Sequence, residues 1–160
     1  MKIEYQVCSL ELSKRLKELG VKQESYFWWV KSGRGPEYEG ETNWKNDGNW
    51  NLYDRRPVKF DFLNLGEEVA IDFSMAEHEE ILLGIKNCSA FTVAELGEML
   101  PIRVNGTILV MGHLHNGWTL QYRLHDSIVH EIRDQKEADA RAKMLVYLFE
   151  NNLLKLEAKP

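Results

Sequence analysis

A chain of 160 residues, of which 44% are hydrophobic, is long enough for one domain with a buried core. Its net charge of −5 comes from interspersed acids and bases. No basic field is present to attract phosphates, so a nucleic-acid partner is disfavoured. No apolar run approaches the ~20 residues that cross a bilayer, and the N-terminus lacks the apolar core of an export signal. We therefore expect a cytoplasmic protein without a membrane segment.

The first predicted element is a helix between Ser9 and Gly20. Serine is favoured at helix N-termini because its hydroxyl accepts amide hydrogen bonds, and glycine suits the position beyond a C-terminus. Leu12 and Leu16 recur at helical spacing and mark the face that we expect to be buried. The helix could open a helix-turn-helix, but residues 26–30 read Tyr-Phe-Trp-Trp-Val. Consecutive aromatic residues followed by valine indicate a strand instead.

Turn-forming residues dominate 31–57, a long insert in what we expect to be one domain spanning 1–155. A loop of this length is usually functional, disordered or a concealed hairpin. The insert contains large aromatic residues and arginines, a composition that resembles interface hot spots. The candidate binding residues are Tyr38, Trp44, Trp50, Tyr53 and Arg55. In the alternative interpretation, the same rings complete a small core within the monomer.

Regular patterns return after the insert. Period-two alternation predicts half-buried strands at 58–62 and 69–73. Ser74 has the type and position of an N-cap for a helix over 75–84.

The next helix has the sharpest local signals in the chain. Thr92 and Glu95 have the spacing of a capping box, in which each side chain binds the backbone N–H of the other residue. Leu96 and Leu100 then lie on one face, and Pro101 ends the helix because it has no N–H to donate.

A strand meander is predicted from 102 to 132. Asn105-Gly106 and Asn116-Gly117 are hairpin turn signals between alternating apolar residues. The predicted strands cover 102–104, 107–111, 118–124 and 127–132. A final helix over 136–154 follows, and a frayed tail is expected at 156–160. Together these elements predict an α+β fold, with an antiparallel sheet (a meander) and helices packed on one side.

Catalytic motifs are weak in this sequence. It contains no nucleophile elbow, phosphate loop, dinucleotide fingerprint or His-Glu-x-x-His helix. Cys8 and Cys88 match no zinc or redox spacing, which predicts reduced, buried thiols. His113 and His115 are two residues apart, so on a strand both imidazoles would point to one side and could bind one metal ion. The alternative function is therefore a small metal- or ligand-binding enzyme that uses the histidines of the 107–132 meander. We predict no catalytic residue and no cofactor.

Three stretches together resemble a family of small uncharacterised proteins encoded by bacteriophages and prophages. They are VCSLELSK (7–14) continued by LGVKQES (19–25), AFTVAELGEMLP (90–101) and EADARAKML (137–145). The resemblance implies a genomic setting and carries no activity with it. We interpret the chain as a phage- or prophage-type accessory protein of unknown function, a non-enzymatic protein-binding module. Its expected partner is a host or phage protein, and self-association into a homo-oligomer stays open.

Overall fold

This computed structural model describes residues 2–31, 49–53 and 86–155. These residues form two antiparallel sheets and three α-helices. The helices are α1 (Leu10–Glu18), α2 (Val93–Met99) and α3 (Glu137–Glu150), preceded by a 3₁₀ turn at Ile3–Tyr5. The strands are β1 (Trp28–Lys31), β2 (Trp50–Tyr53), β3 (Lys86–Ser89), β4 (Arg103–Val104), β5 (Thr107–Leu114), β6 (Gly117–Leu124) and β7 (Ser127–Asp134). The predicted α+β class is confirmed. The strands and helix expected at 58–62, 69–73 and 75–84, and the tail at 156–160, lie outside the described residues.

The strands form a three-stranded and a four-stranded sheet. In the first, β1 lies between β2 and β3, and both pairings are antiparallel. The second is the predicted meander, in the order β4-β5-β6-β7. Asn105 and Gly106 turn the chain between β4 and β5 with φ angles of +47° and +83°. Left-handed conformations at both turn positions match the twist of a tight hairpin, which is why Asn-Gly was informative there.

The second hairpin turn differs from the prediction. Strand β5 continues to Leu114 rather than ending at 111, and the turn residues are His115 and Asn116. Gly117 already pairs with Leu114 and has a φ of +118°. A Cβ atom at Gly117 would clash with the backbone carbonyl of Asp134. This glycine therefore meets two requirements at once, a rare φ angle and the absence of a side chain.

The largest group of buried residues lies between the helices and one face of the four-stranded sheet. Helix α3 packs against β6, β7, α1 and α2. In α3, Ala138, Ala142, Leu145 and Leu148 are buried, together with Leu120 and Tyr122 of β6. Each fully buried leucine contributes about 1.5–3 kcal/mol. We call this face of the four-stranded sheet the inner face.

The two shorter helices are fixed at their N-termini in different ways. In α2 the capping box is present, because the Glu95 N–H donates to Thr92 Oγ1 (3.2 Å) and the Thr92 N–H donates to Glu95 Oε2 (2.7 Å). Ser9 occupies the N-cap position of α1, but its side chain makes no capping hydrogen bond. Its backbone N–H instead donates to Asp139 Oδ1 of α3 at 2.6 Å. The start of α1 is therefore bound to a distant segment, and the local cap that the sequence suggested is not formed.

Candidate functional site

The structure places two of the five predicted binding residues. Trp50 and Tyr53 lie in β2, opposite Lys31 and Trp28 of β1. Both belong to a strand and not to a loop, because the chain returns after β1 to form an antiparallel pair. Tyr38, Trp44 and Arg55 lie outside the described residues.

Trp50 contacts its own chain. The ammonium group of Lys14 in α1 lies 4.5 Å from the centre of the Trp50 ring, and the ring is half-buried. A cation over an indole face is worth about 0.5–1 kcal/mol at a partly exposed site. This contact favours the interpretation of Trp50 as part of the packing within the monomer.

The histidines of the meander lie at separate places. His113 is in β5, with its ring 4.9 Å from that of Trp118, whereas His115 lies in the turn. The expectation that both point to one side of a strand therefore does not hold. His125 is in the turn at the other end of β6, and His130 stacks on Tyr147 of α3. Within the described residues, no group of three or more His, Cys, Asp or Glu side chains could bind a metal ion.

Both cysteines are buried free thiols. Burial raises the pKa of Cys8 to about 11 and that of Cys88 to about 12. Because the thiolate is the reactive form, neither side chain is a nucleophile near neutral pH.

A shallow cleft of about 370 Å³ lies between the start of β1 and α2, lined in part by Ser25, Tyr26 and Glu95. The Glu95 carboxylate accepts hydrogen bonds from the Ser25 hydroxyl (3.0 Å) and the Tyr26 N–H (3.2 Å), in addition to those in the capping box. Its oxygens are therefore used to join β1 to α2. Glu24, the other carboxylate that lines the cleft, forms a salt bridge with Lys22 at 2.6 Å.

The opposite side of the four-stranded sheet, which we call the outer face, is unusually apolar for a solvent-exposed surface. Strand alternation places Ile108, Val110 and Leu114 of β5 there, together with Ile128 of β7. Their exposed fractions are 44%, 40%, 54% and 50%. Val129, the extra residue where the β6–β7 register shifts, is 57% exposed. Two strands, β5 and β7, thus present a group of half-exposed aliphatic side chains to solvent.

Three arginines accompany these aliphatic side chains. Arg103 and Arg123 lie in one row with Ile108 and Ile128, because the register pairs Arg103 with Ile108, Ile108 with Arg123 and Arg123 with Ile128. Arg133 lies on the same face. The outer face therefore alternates apolar and cationic side chains along its first row.

Most of this positive charge is not neutralised within the sheet. Arg133 forms a salt bridge with Glu131 at 3.1 Å. The Glu131 pKa is lowered, first by its hydrogen bond from Gln121 and then by Arg133. Among the described residues, Arg103 and Arg123 form no salt bridge, and Arg123 Nη2 donates to the Asp126 backbone carbonyl at 3.2 Å. The outer face is therefore cationic on a chain whose net charge is −5.

The sequence analysis did not identify the outer face. The available signal was β5, where apolar residues occupy both alternating sets of positions from 108 to 111, and the Ile128-Val129 pair in β7. A half-buried strand would place polar residues at one of the two sets. The sequence shows these additional apolar positions. It does not show which face of the sheet is covered, because that depends on the packing of distant helices.

Comparison with protein-family models, with curated proteins and with solved structures finds no match for this chain. Among the described residues, no helix combines the length and apolar character needed to cross a membrane.

Proposed function

We propose that this chain is a non-enzymatic protein-binding module whose docking surface is the outer face of the β4–β7 sheet. The observation that carries the proposal is the group of half-exposed aliphatic side chains at Ile108, Val110, Leu114 and Ile128. Several exposed apolar side chains on one face of a domain often mark a binding site, because leaving them in water has a free-energy cost that a partner removes.

Charge defines the chemistry of the partner. Arg103, Arg123 and Arg133 face the same side as these aliphatic residues, with Glu131 as the one carboxylate among the paired positions of that face. Arginine is enriched in protein interfaces, where it contributes both an apolar stem and a charged group. The matching partner is a host or phage protein that presents apolar side chains together with carboxylates. The resemblance to phage and prophage proteins supports that setting, and we place the interaction in the cytoplasm.

The described residues offer less support for catalysis. The thiols are buried and protonated, the Glu95 carboxylate is used in structural hydrogen bonds, and the histidines are distributed over both ends of the meander. A binding function requires only the exposed face that is observed.

The test uses a fluorescent amphipathic helical peptide whose leucine face is flanked on both sides by glutamates. We expect this peptide to bind the wild-type protein and a matched leucine–lysine peptide to bind more weakly, with a difference that shrinks as salt is added. The double variant Ile108→Ser/Ile128→Ser should lose binding. Tyr5→Ser is the matched control, since Tyr5 is an apolar residue exposed to 61% that lies on the N-terminal 3₁₀ turn.

Two results would contradict the proposal. One is equal binding of the two peptides, which would show that the arginines do not favour an acidic partner over a basic one. The other is unchanged binding by the double variant, which would place the docking surface elsewhere.

A further inference from the structure

Strand β5 is paired along its whole length on one side only. Residues Ile108 to Leu114 pair with β6. On the other side, β4 pairs only with Thr107 and Ile108, and one further hydrogen bond joins the Leu109 N–H to the Ile102 carbonyl at 2.9 Å. Among the described residues, nothing continues this pairing beyond Leu109.

The direction of the unpaired backbone groups follows from the Leu109 hydrogen bond. In an antiparallel sheet, the N–H and C=O of one residue point to the same side, and successive residues alternate. Leu109 points toward β4, so Met111 and His113 point to that edge as well. The edge therefore presents two N–H donors and two carbonyl acceptors over a span of three residues.

Within the part of the chain that the structure describes, this edge lacks the features that usually prevent strands from pairing with other molecules. Exposed edge strands are commonly protected by charged side chains, proline or a covering segment. Strand β5 reads Thr-Ile-Leu-Val-Met-Gly-His-Leu and contains neither proline nor a Lys, Arg, Asp or Glu. Val110, Met111 and Leu114 are 40%, 39% and 54% exposed, and nothing lies within 4 Å of where a Gly112 Cβ would be.

We propose that β5 pairs with β5 of a second copy of this chain, antiparallel about a two-fold axis at Gly112. In that register Met111 lies opposite His113 of the other copy, and the edge-directed backbone groups of both residues form hydrogen bonds. Gly112 lies opposite Gly112 at a non-hydrogen-bonded position, where strands approach most closely and the absence of side chains removes any clash. Val110 then contacts Leu114 of the other copy, which is an apolar cross-strand pair.

Charge and symmetry favour a second copy as the occupant. The same few residues supply donors, acceptors and apolar contacts in complementary positions, as an isologous interface requires. Two chains with a net charge of −5 repel each other in general, but the strand that forms the contact is free of Asp, Glu, Lys and Arg. Like charges therefore do not meet across the proposed pair.

The size of the contact predicts a weak dimer. About five residues from each copy take part, which is far fewer than the roughly 20–30 residues a side of a standard stable interface. We therefore expect a dimer dissociation constant of about 10 µM to 1 mM. The dimer would have one continuous sheet, in the order β7-β6-β5-β5-β6-β7, with the two outer faces on the same side. This inference does not depend on the proposed protein-binding function.

The test exploits the position of Gly112 opposite itself. Gly112 has ordinary backbone angles and open space at its Cβ position, so both Gly112→Lys and Gly112→Glu should fold. Sedimentation velocity of the wild-type protein should show concentration-dependent dimerisation. Each variant alone should associate roughly fivefold or more weakly, because like charges lie directly opposite, and an equimolar mixture of the two should recover dimerisation. Ile128→Lys, which adds a charge to the outer face on β7, should dimerise like the wild type.

Three results would overturn the inference. The wild type could remain a monomer up to about 1 mM, the upper end of the expected range, where a large fraction of the chains should be dimeric. The mixture of charged variants could fail to associate although the wild type does, which would exclude this register. The amides of Met111 and His113 could be protected from hydrogen exchange equally at all concentrations, which would show that the same chain covers the edge.

Discussion

The backbone N–H of Ser9 donates a 2.6 Å hydrogen bond to the Asp139 carboxylate, although the two residues are 130 positions apart. The contact joins the start of α1 to the first turn of α3. Asp139 is buried and also forms an ion pair with Lys136 at 3.5 Å. One carboxylate thus accepts a helix N-terminal N–H and balances a neighbouring ammonium group.

We expect Asp139→Ala to lower the free energy of unfolding by roughly 1–3 kcal/mol, because it leaves the Ser9 N–H without its acceptor. Asp139→Asn is the matched variant, since it keeps a carbonyl oxygen at the same place and should cost less. Urea denaturation of the three proteins measures the difference. Equal losses for both variants would show that the hydrogen bond is not what stabilises the contact.

Thr92→Ala should lower the free energy of unfolding by about 1 kcal/mol, because the hydroxyl that accepts the Glu95 N–H is removed. Thr92→Ser keeps the hydroxyl and should behave nearly like the wild type. Thermal unfolding followed by circular dichroism would compare them. A Thr92→Ala protein with an unchanged melting temperature would mean that the box contributes nothing to stability.

His130 gives the protein a predicted pH dependence. Its ring stacks on Tyr147 with centres 3.4 Å apart, and burial lowers its pKa from the ordinary value of 6.5. The folded state therefore prefers neutral imidazole. Its contribution to stability is complete above pH 6.5 and is lost as the pH falls toward the lower folded-state pKa.

The comparison with His130→Phe isolates this effect, because phenylalanine keeps a ring beside Tyr147 and cannot be protonated. The difference in unfolding free energy between the two proteins should change between pH 7.5 and about 5 in the direction that disfavours the wild type in acid. A difference that is constant over this interval would show that His130 is protonated equally in the folded and unfolded states.

Trp50→Ala should lower the melting temperature by a few degrees, because Trp50 is half-buried and its ring lies beneath Lys14. Lys14→Met tests the cationic part separately, since it keeps an apolar stem over the ring. If Trp50→Ala melts like the wild type, the ring is not part of the monomer's packing, and its original interpretation as an interface residue gains support.

The helices and turns of the described fold were largely readable from the sequence, because their signals are local. Thr92 with Glu95, and Asn105 with Gly106, determine backbone geometry through their own side chains or φ angles. Asn116-Gly117 correctly indicated a hairpin, but the positions predicted for the turn and the end of β5 were wrong. The turn uses His115 and Asn116, which extends β5 to Leu114 and removes His115 from the strand.

The candidate surfaces were less predictable, because their exposure depends on which helices pack against which face of the sheet. Alternation in β5 and β7 indicates two faces, but only the position of α3 shows that Ile108 and Ile128 are on the uncovered one. Likewise, no local pattern links Ser9 to Asp139. For the insert that contains Trp50, the sequence left a loop, a disordered segment and a concealed hairpin open, and the strand at Trp50 exists through pairing with β1.

Gly117 has a consequence for the tolerance of the chain to mutation. Gly106 has a left-handed φ with empty space around it, so asparagine or aspartate could replace it at small cost. At Gly117 any side chain would collide with the backbone of Asp134 and Gln135, where the chain leaves β7 for α3. The tip of one hairpin and the segment that leads into the last helix are thus fitted to each other. A saturation scan should find one of these two surface turns permissive and the other nearly invariant.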